Sequence, residues 1–229
     1  MIGHRKSRMK MYDDLFIFAD RTDAGEKLAA ILLEEPLVQQ PSRDDLLVLS
    51  IPRGGVVVGA AVARVLGCKH EVIVVKKIGF PGHKELAIGA VAEDETVVLG
   101  QFDKEKLAWY IEQTINQVKP QIETFIQKFR HGKPLNLQSK TVIIVDDGIA
   151  TGETMKAAVI VLTTKTEAQR PNKVIVAVPV CSYNSAQELQ ELADKFIALH
   201  IPIQFWAVGQ FYWDFDQVSD EEVMDYLLP

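Results

Sequence analysis

The chain has 229 residues, 31 of them acidic and 25 basic, for a formal charge of −6 at pH 7. With 48% hydrophobic and 24% charged residues it has the make-up of a folded globular protein, which excludes a disordered or fibrous chain. A chain of this length buries about 70% of the surface it would expose when extended, so it needs neither a disulfide nor a structural metal to fold.

The acidic total gives no general footprint for nucleic acid. A local basic group, His4, Arg5, Lys6, Arg8 and Lys10, reads as a solvated tail. Apolar runs such as residues 141–145 and 174–180 are strand-sized and far short of the roughly 20 residues of a membrane span. Residues 1–11 are basic but lack the apolar stretch of a signal peptide, so the expected location is cytoplasmic, with no membrane partner. Cys68 and Cys181 stand alone and far apart, which points to buried thiols and away from a zinc site.

Short β-branched runs alternate with longer helical patterns, the mark of an α/β fold with a mostly parallel central sheet flanked by helices. Asp23 with Glu26 predicts a capping box for a helix through Leu33, with Leu28, Ile31 and Leu32 on one face and Pro36 ending it. Residues 46–51 read as a buried strand, 56–66 as a helix stopped by Gly67, and 72–75 as the next strand. Gly79, Pro81, Gly82 and His83 then break the pattern and predict a mobile loop. Residues 88–92 and 96–99 predict a hairpin with Glu93, Asp94 and Glu95 in its turn. Residues 103–129 are helical, with Leu107, Ile111, Ile115 and Val118 on one face, and Pro120 either kinks this helix or splits it in two. A strand over 141–145, a helix over 154–164, a strand over 173–178, a helix over 185–192 and an aromatic tail over 205–215 complete the chain. No linker divides it.

Residues 142–154, Val-Ile-Ile-Val-Asp-Asp-Gly-Ile-Ala-Thr-Gly-Glu-Thr, carry the densest chemical signal. Four β-branched residues feed Asp146 and Asp147, followed by a loop with two glycines and two threonines that opens a helix. In a parallel sheet the carboxylates then stand at the carboxyl end of a strand, where ligands bind. The loop amides and hydroxyls, with the positive end of the helix, make a cradle suited to a phosphate monoester. Adjacent aspartates suit a vicinal diol, or a divalent cation held through water. A Walker A loop would need Lys after its second Gly, but Glu153 stands there and the spacing from Gly148 to Gly152 is one residue short.

The segment resembles the phosphoribosyl diphosphate loop of the type I phosphoribosyltransferases over thirteen contiguous residues. The resemblance implies one domain over residues 1–229, with a small hood formed mainly by about 200–229 and part of the N-terminus. It implies that Asp146 and Asp147 grip the ribose hydroxyls, and that Gly148, Ile149, Ala150, Thr151, Gly152, Glu153 and Thr154 hold the 5-phosphate. Ser50-Ile51-Pro52-Arg53-Gly54-Gly55 is similar to the family's pyrophosphate loop, in which a cis peptide is common; Arg53, Gly54 and Gly55 would meet the pyrophosphate there. Lys76 and Lys77, at the end of a strand, lead into what resembles the flexible catalytic loop. In that loop His83 and Lys84 either contact the leaving group or are solvated. In the hood, Phe211 and Tyr212 either stack on a planar acceptor base or lie in the core.

These correspondences imply magnesium-dependent transfer of the phosphoribosyl group from phosphoribosyl diphosphate to a nitrogenous base, with release of pyrophosphate. Asp146 and Asp147 act at the ribose and the Mg²⁺, and Lys76 or Lys77 stabilises the charge on the leaving pyrophosphate. Enzymes for 6-oxopurines commonly carry Asp where Ala150 stands, which disfavours hypoxanthine or guanine. Two other readings stay open: a sensor of the same fold that binds the sugar diphosphate without turning it over, and a relative of the ribose-phosphate diphosphokinases, for which the chain is short and has no ATP site. A homodimer is implied by the resemblance alone.

Overall fold

Five strands lie side by side, all parallel, in the computed structural model of the chain, which describes residues 17–93, 97–99, 104–164, 166 and 169–227. They are β1 (Leu46–Ser50), β2 (Lys69–Val72), β6 (Thr141–Val145), β7 (Lys173–Val180) and β8 (Lys195–His200), in the spatial order β2-β1-β6-β7-β8. Every residue of β1 and β6 is buried, as expected of parallel strands covered on both faces. One face receives α1 (Arg21–Leu33), α2 (Pro36–Gln39) and α3 (Gly54–Leu66), whose Leu28, Leu32, Val38, Val58 and Val62 pack on Val48, Ile143 and Ile175. The other receives α5 (Glu153–Thr164) and α6 (Tyr183–Leu192), with Met155, Leu162 and Leu189 against Leu49, Ile144 and Val176.

A second, antiparallel sheet joins β3 (Val75–Phe80), β4 (His83–Ala92) and β5 (Val97–Leu99). Its Ile78, Ile88 and Val91 pack against Ile111 and Ile122 of α4 (Lys104–Arg130). The C-terminal α7 (Asp220–Leu227) lays Val223 on Val56, Val72 and Phe129. The N-terminal end of the described chain meets residues 205–215 beside Val180, the last residue of β7, where Phe18, Phe211, Tyr212, Phe205 and Phe215 form an aromatic cluster. No described helix is long and apolar enough to cross a membrane.

Several expectations need correction. The cap of α1 is Asp20, which accepts from the Asp23 amide at 2.8 Å while Asp23 accepts from the Ala19 amide at 2.9 Å; the motif sits one turn earlier than Asp23 and Glu26 suggest. Glu26 instead pairs with Arg64, and Ile31 is exposed. Pro36 does not end α1 but takes the first position of α2, where its missing N–H is harmless. The strand expected over 72–75 is the junction of two sheets, with β2 ending at Val72 and β3 starting at Val75. Most of β2 is polar because it is an edge strand, so it carries no apolar run to read.

The loop expected over 79–83 is a tight turn, Pro81-Gly82, with Gly82 at φ +78° closing the β3–β4 hairpin. Lys76 and Lys77 consequently occupy the second and third positions of β3, not a strand end. Residues 104–130 form one helix with Pro120 inside it. The β4–β5 pairing agrees with the expected hairpin, while Asp94 and Glu95 of its turn and Thr96, expected to open its second strand, lie outside the described residues, as do the basic residues 4–10. Both cysteines are free thiols, and burial pushes Cys68 to about 11 and Cys181 to about 12.

His70 of β2 yields a stability prediction. Its Nε2 meets the Ser50 hydroxyl at 2.8 Å, and burial lowers its pKa from 6.5 to about 4 against a smaller opposing pull from the Tyr226 backbone. The unfolded chain therefore binds the proton first as pH falls, so stability is full above about pH 6.5 and is lost down to about pH 4. The loss attributable to His70 is roughly 3 kcal/mol. Urea titrations from pH 7 to 4 should show it, and His70→Gln should flatten this part of the profile; an unchanged slope would refute the assignment.

Candidate functional site

The order β2-β1-β6-β7-β8 reverses between β1 and β6, since the chain runs outward from β1 to β2 and later returns on the other side of β1. A crevice opens at such a switch point, at the carboxyl ends of the strands. Both chemically dense turns leave from there, one from β1 and one from β6. The Ile51 amide donates to the Val145 carbonyl at 2.9 Å, fastening the start of the first turn to the last residue of β6. The peptide between Pro52 and Arg53 is cis.

Gly54 and Gly55 are glycine because the acidic pair presses on them. A Cβ on Gly54 would fall on the Asp147 carboxylate and 2.9 Å from Arg21 Nε, and one on Gly55 would lie 2.8 Å from Asp146 Cα. The two turns thus lie side by side at the ends of β1 and β6.

The acidic pair is braced from three sides. The Asp147 amide donates to Asp146 Oδ1 at 2.8 Å. Arg21, the first residue of α1, donates from Nε to Asp147 Oδ2 at 2.8 Å and from Nη1 to the Asp216 carbonyl at 2.9 Å, with its guanidinium 3.8 Å above the Phe215 ring. The Tyr212 hydroxyl donates to the Asp147 carbonyl at 2.5 Å. Burial, and then the charge of Asp147, holds the Asp146 carboxyl well above the usual carboxylate range. Burial raises Asp147 as well, against the opposing pull of Arg21. Two neighbouring carboxylates in so dry a place form a strong donor set for a hard cation or for sugar hydroxyls. Among the described residues no group of three or more metal-ligating side chains forms, so an ion at this pair would draw its other ligands from water or from a bound molecule.

The rest of the acidic turn is pinned from below and open above. Gly148 lies against Val180 and Val208, where a Cβ would come within 2.5 Å of Val208 Cγ1. Ile149 donates to the Val180 carbonyl, and the hydroxyls of Ser182 and Ser185 hold the Ala150 carbonyl at 2.6 and 2.8 Å. Gly152 adopts φ +74°, which aims the chain into α5. Beyond Ile149, the next backbone amide bonded to a carbonyl among the described residues is that of Lys156, on Gly152. The preceding turn thereby presents the N-terminus of α5 as an anion cradle. Glu153 is paired with Lys156, which also reaches Glu188.

The remaining predicted residues divide. Arg53 turns to Asp220 of α7, at 2.6 Å. Lys76 lies 4.6 Å above the Phe125 ring, and burial together with the charge of Arg53 lowers its pKa. Lys77 lines a separate cavity with Trp109, Tyr110 and Gln113 of α4, so the two lysines do not act at one point. The side chains of His83 and Lys84 lie outside the described residues. Phe211 and Tyr212 are buried, with Tyr212 packed on Phe18 and Phe215. They are core residues, and Tyr212 supports the acidic turn instead of offering a ring face to a base. Arg21 was missed by sequence reasoning, and nothing around position 21 signals a partner 126 residues away.

The phosphoribosyl transferase domain family matches residues 19–216. Two curated Mycobacterium tuberculosis proteins, each provisionally named a phosphoribosyl transferase, are 37% identical over 216 residues, 92% of this chain and 46% of theirs. The chain thus spans about half the length of the curated relatives it matches. The crystal structure of TT1426 from Thermus thermophilus is similar at 36% identity and a TM-score of 0.80, over 92% of this chain and 97% of that one.

Proposed function

The chain belongs to the phosphoribosyl transferase family, and on that premise we propose that it moves the 5-phosphoribosyl group of phosphoribosyl diphosphate to a nitrogenous base, releasing pyrophosphate. The observation that carries this reading is the contact of Gly54 and Gly55 with Asp146 and Asp147 at the switch point, because a sugar bearing phosphates at both ends needs two facing turns. The 5-phosphate takes the cradle of residues 148–154, and the ribose hydroxyls donate to Asp146 and Asp147. The diphosphate lies toward Arg53 and the Gly54 amide, with Lys76 beside Arg53 on the same side.

Displacement at the anomeric carbon builds positive charge on the sugar and negative charge on the departing diphosphate. The protein's task is therefore to hold the partners in line and to neutralise charge. No covalent nucleophile is required. Asp146 and Asp147 fit a Mg²⁺ ion held through water, which would screen the diphosphate. Arg21 holds the Asp147 carboxylate in place. The same reading places the protein in the cytoplasm, as a homodimer with no nucleic-acid partner. Ala150 leaves no carboxylate near the acceptor's ring nitrogen, which directs the search away from 6-oxopurines.

The test joins a calorimetric titration with phosphoribosyl diphosphate and Mg²⁺ to pyrophosphate release over a panel of bases. Binding with release for one acceptor is the expected result, whereas tight binding with no acceptor consumed would favour a sensor. Asp147→Asn should weaken binding at least about tenfold, the size expected when charged hydrogen-bond acceptors are lost, while leaving the circular dichroism intact. Unchanged affinity would count against the role of Asp147.

A further inference from the structure

Arg53, about half exposed, is tied to the C-terminal helix. Its Nε donates to one oxygen of the Asp220 carboxylate at 2.6 Å, and Lys128 Nζ of α4 donates to the other at 2.8 Å. One carboxylate therefore bridges two cations from separate elements, one oxygen to each, as two oxygens of a single phosphoryl group would. Lys76 stands close enough to Arg53 to feel its charge, and its ammonium rests on Phe125, one turn before Lys128 on α4. Glu221 approaches Lys128 only at 3.6 Å and is itself mostly exposed.

Arg53 and Lys128 meet two carboxylates, Asp220 and Glu221. Asp220 is the only one of the two that is well placed and largely shielded. Like-charged side chains are not gathered beside a ligand crevice without an anion to share, and here α7 supplies it from within the chain.

The geometry points to Lys128 as a second diphosphate-binding cation paired with Arg53, with Asp220 of α7, bound to the same two cations, as the diphosphate's competitor. This rests on the transferase reading for the identity of the ligand but adds residues that reading does not use. Binding of the diphosphate then releases α7 from the two cations, so the C-terminal helix competes with the ligand. The strap leading to α7 also touches the acidic turn, through Tyr212 on the Asp147 carbonyl and Arg21 on the Asp216 carbonyl. Both halves of the crevice are consequently tied to one C-terminal segment.

The experiment compares phosphoribosyl diphosphate, inorganic pyrophosphate and ribose 5-phosphate by calorimetry with Mg²⁺ present, on the full chain and on Lys128→Gln and Asp220→Asn. Lys128 and Asp220 lie near the surface, and thermal melts check that both variants fold. Lys128→Gln should raise the Kd for the two diphosphates about tenfold and leave ribose 5-phosphate unchanged, since a single charge-assisted hydrogen bond has that size. Asp220→Asn should lower the diphosphate Kd several-fold by removing the competitor. An equal effect of Lys128→Gln on all three ligands, or none, would overturn the proposal, as would weaker diphosphate binding in Asp220→Asn. Failure of the wild-type chain to bind any of the three would sink the transferase reading itself. Normal wild-type binding with silent variants would sink only the role of Lys128.

Discussion

Arg21→Ala is expected to lose about 3–5 kcal/mol of stability, because it strips the resident cation from a buried carboxylate that already stands beside another. The side chains of Arg21 and Asp147 are only 11% and 15% exposed, so water cannot replace the guanidinium cheaply. For a chain of this length that corresponds to a melting temperature lower by roughly 10 °C. Arg21 also packs on Phe215 and binds the Asp216 carbonyl, so part of the loss comes from these contacts and not from charge.

A double-mutant cycle separates the two contributions. Asp147→Asn placed in the Arg21→Ala background removes the orphaned charge and should recover about 1–3 kcal/mol of the loss. Arg21→Lys keeps the charge but not the planar fork that reaches both Asp147 and the Asp216 carbonyl, and should fall between. Strictly additive losses in the cycle would show that Arg21 and Asp147 do not support each other. Affinity for the sugar diphosphate should fall along with stability in Arg21→Ala, since the guanidinium orients the Asp147 carboxylate.

What the sequence disclosed and what it hid follow from the range of each signal. The thirteen residues around Asp146 are informative because strand, turn and helix start are contiguous, and each needs residue types suited to its own backbone: β-branched for the buried strand, glycine at φ +74° for Gly152. Gly54 and Gly55 read as a loop from which backbone can approach an anion. Their other reason, room for the acidic pair, appears only once β1 and β6 are neighbours. Arg21, Lys128 and Asp220 escaped notice for the same cause. Their partners lie 126, 92 and 167 residues away, and a lone charged residue on a helix looks the same whether it is solvated or bridging.

The edge strand β2 was obscured by its polarity, and the Pro81-Gly82 turn passed for a loop because turn residues mark both. For the aromatic residues of the tail the sequence left two readings, stacking on a base or burial in the core. Phe211 and Tyr212 follow the second, in the core, where large rings contribute most by burial. Tyr212 kept one polar duty, its bond to the Asp147 carbonyl.

Gly55→Ala should damage both fold and site. The added Cβ would sit 2.8 Å from Asp146 Cα and 3.0 Å from the Val145 carbonyl, and these are backbone atoms of β6 and the turn after it that no rotamer change can move aside. Relief requires α3 to lift off the sheet, yet its Val56, Val58 and Val62 are wholly buried beneath it. Overpacking of this kind costs about 1–3 kcal/mol. A displacement near 1 Å between the two turns would also misalign the groups that clasp the two ends of the sugar diphosphate, for which a loss of about 100-fold in turnover is the expected scale. Gly67→Ala is the matched control. Gly67 caps the C-terminal end of α3 with φ +64°, but an added Cβ there meets nothing within 4 Å. Its left-handed backbone makes alanine unfavourable by about 1–2 kcal/mol, so it should melt lower while binding the sugar diphosphate as the wild type does. If the two variants lose stability and affinity in the same proportion, the glycine at position 55 serves the backbone alone, and the close approach of the two turns has no part in ligand binding.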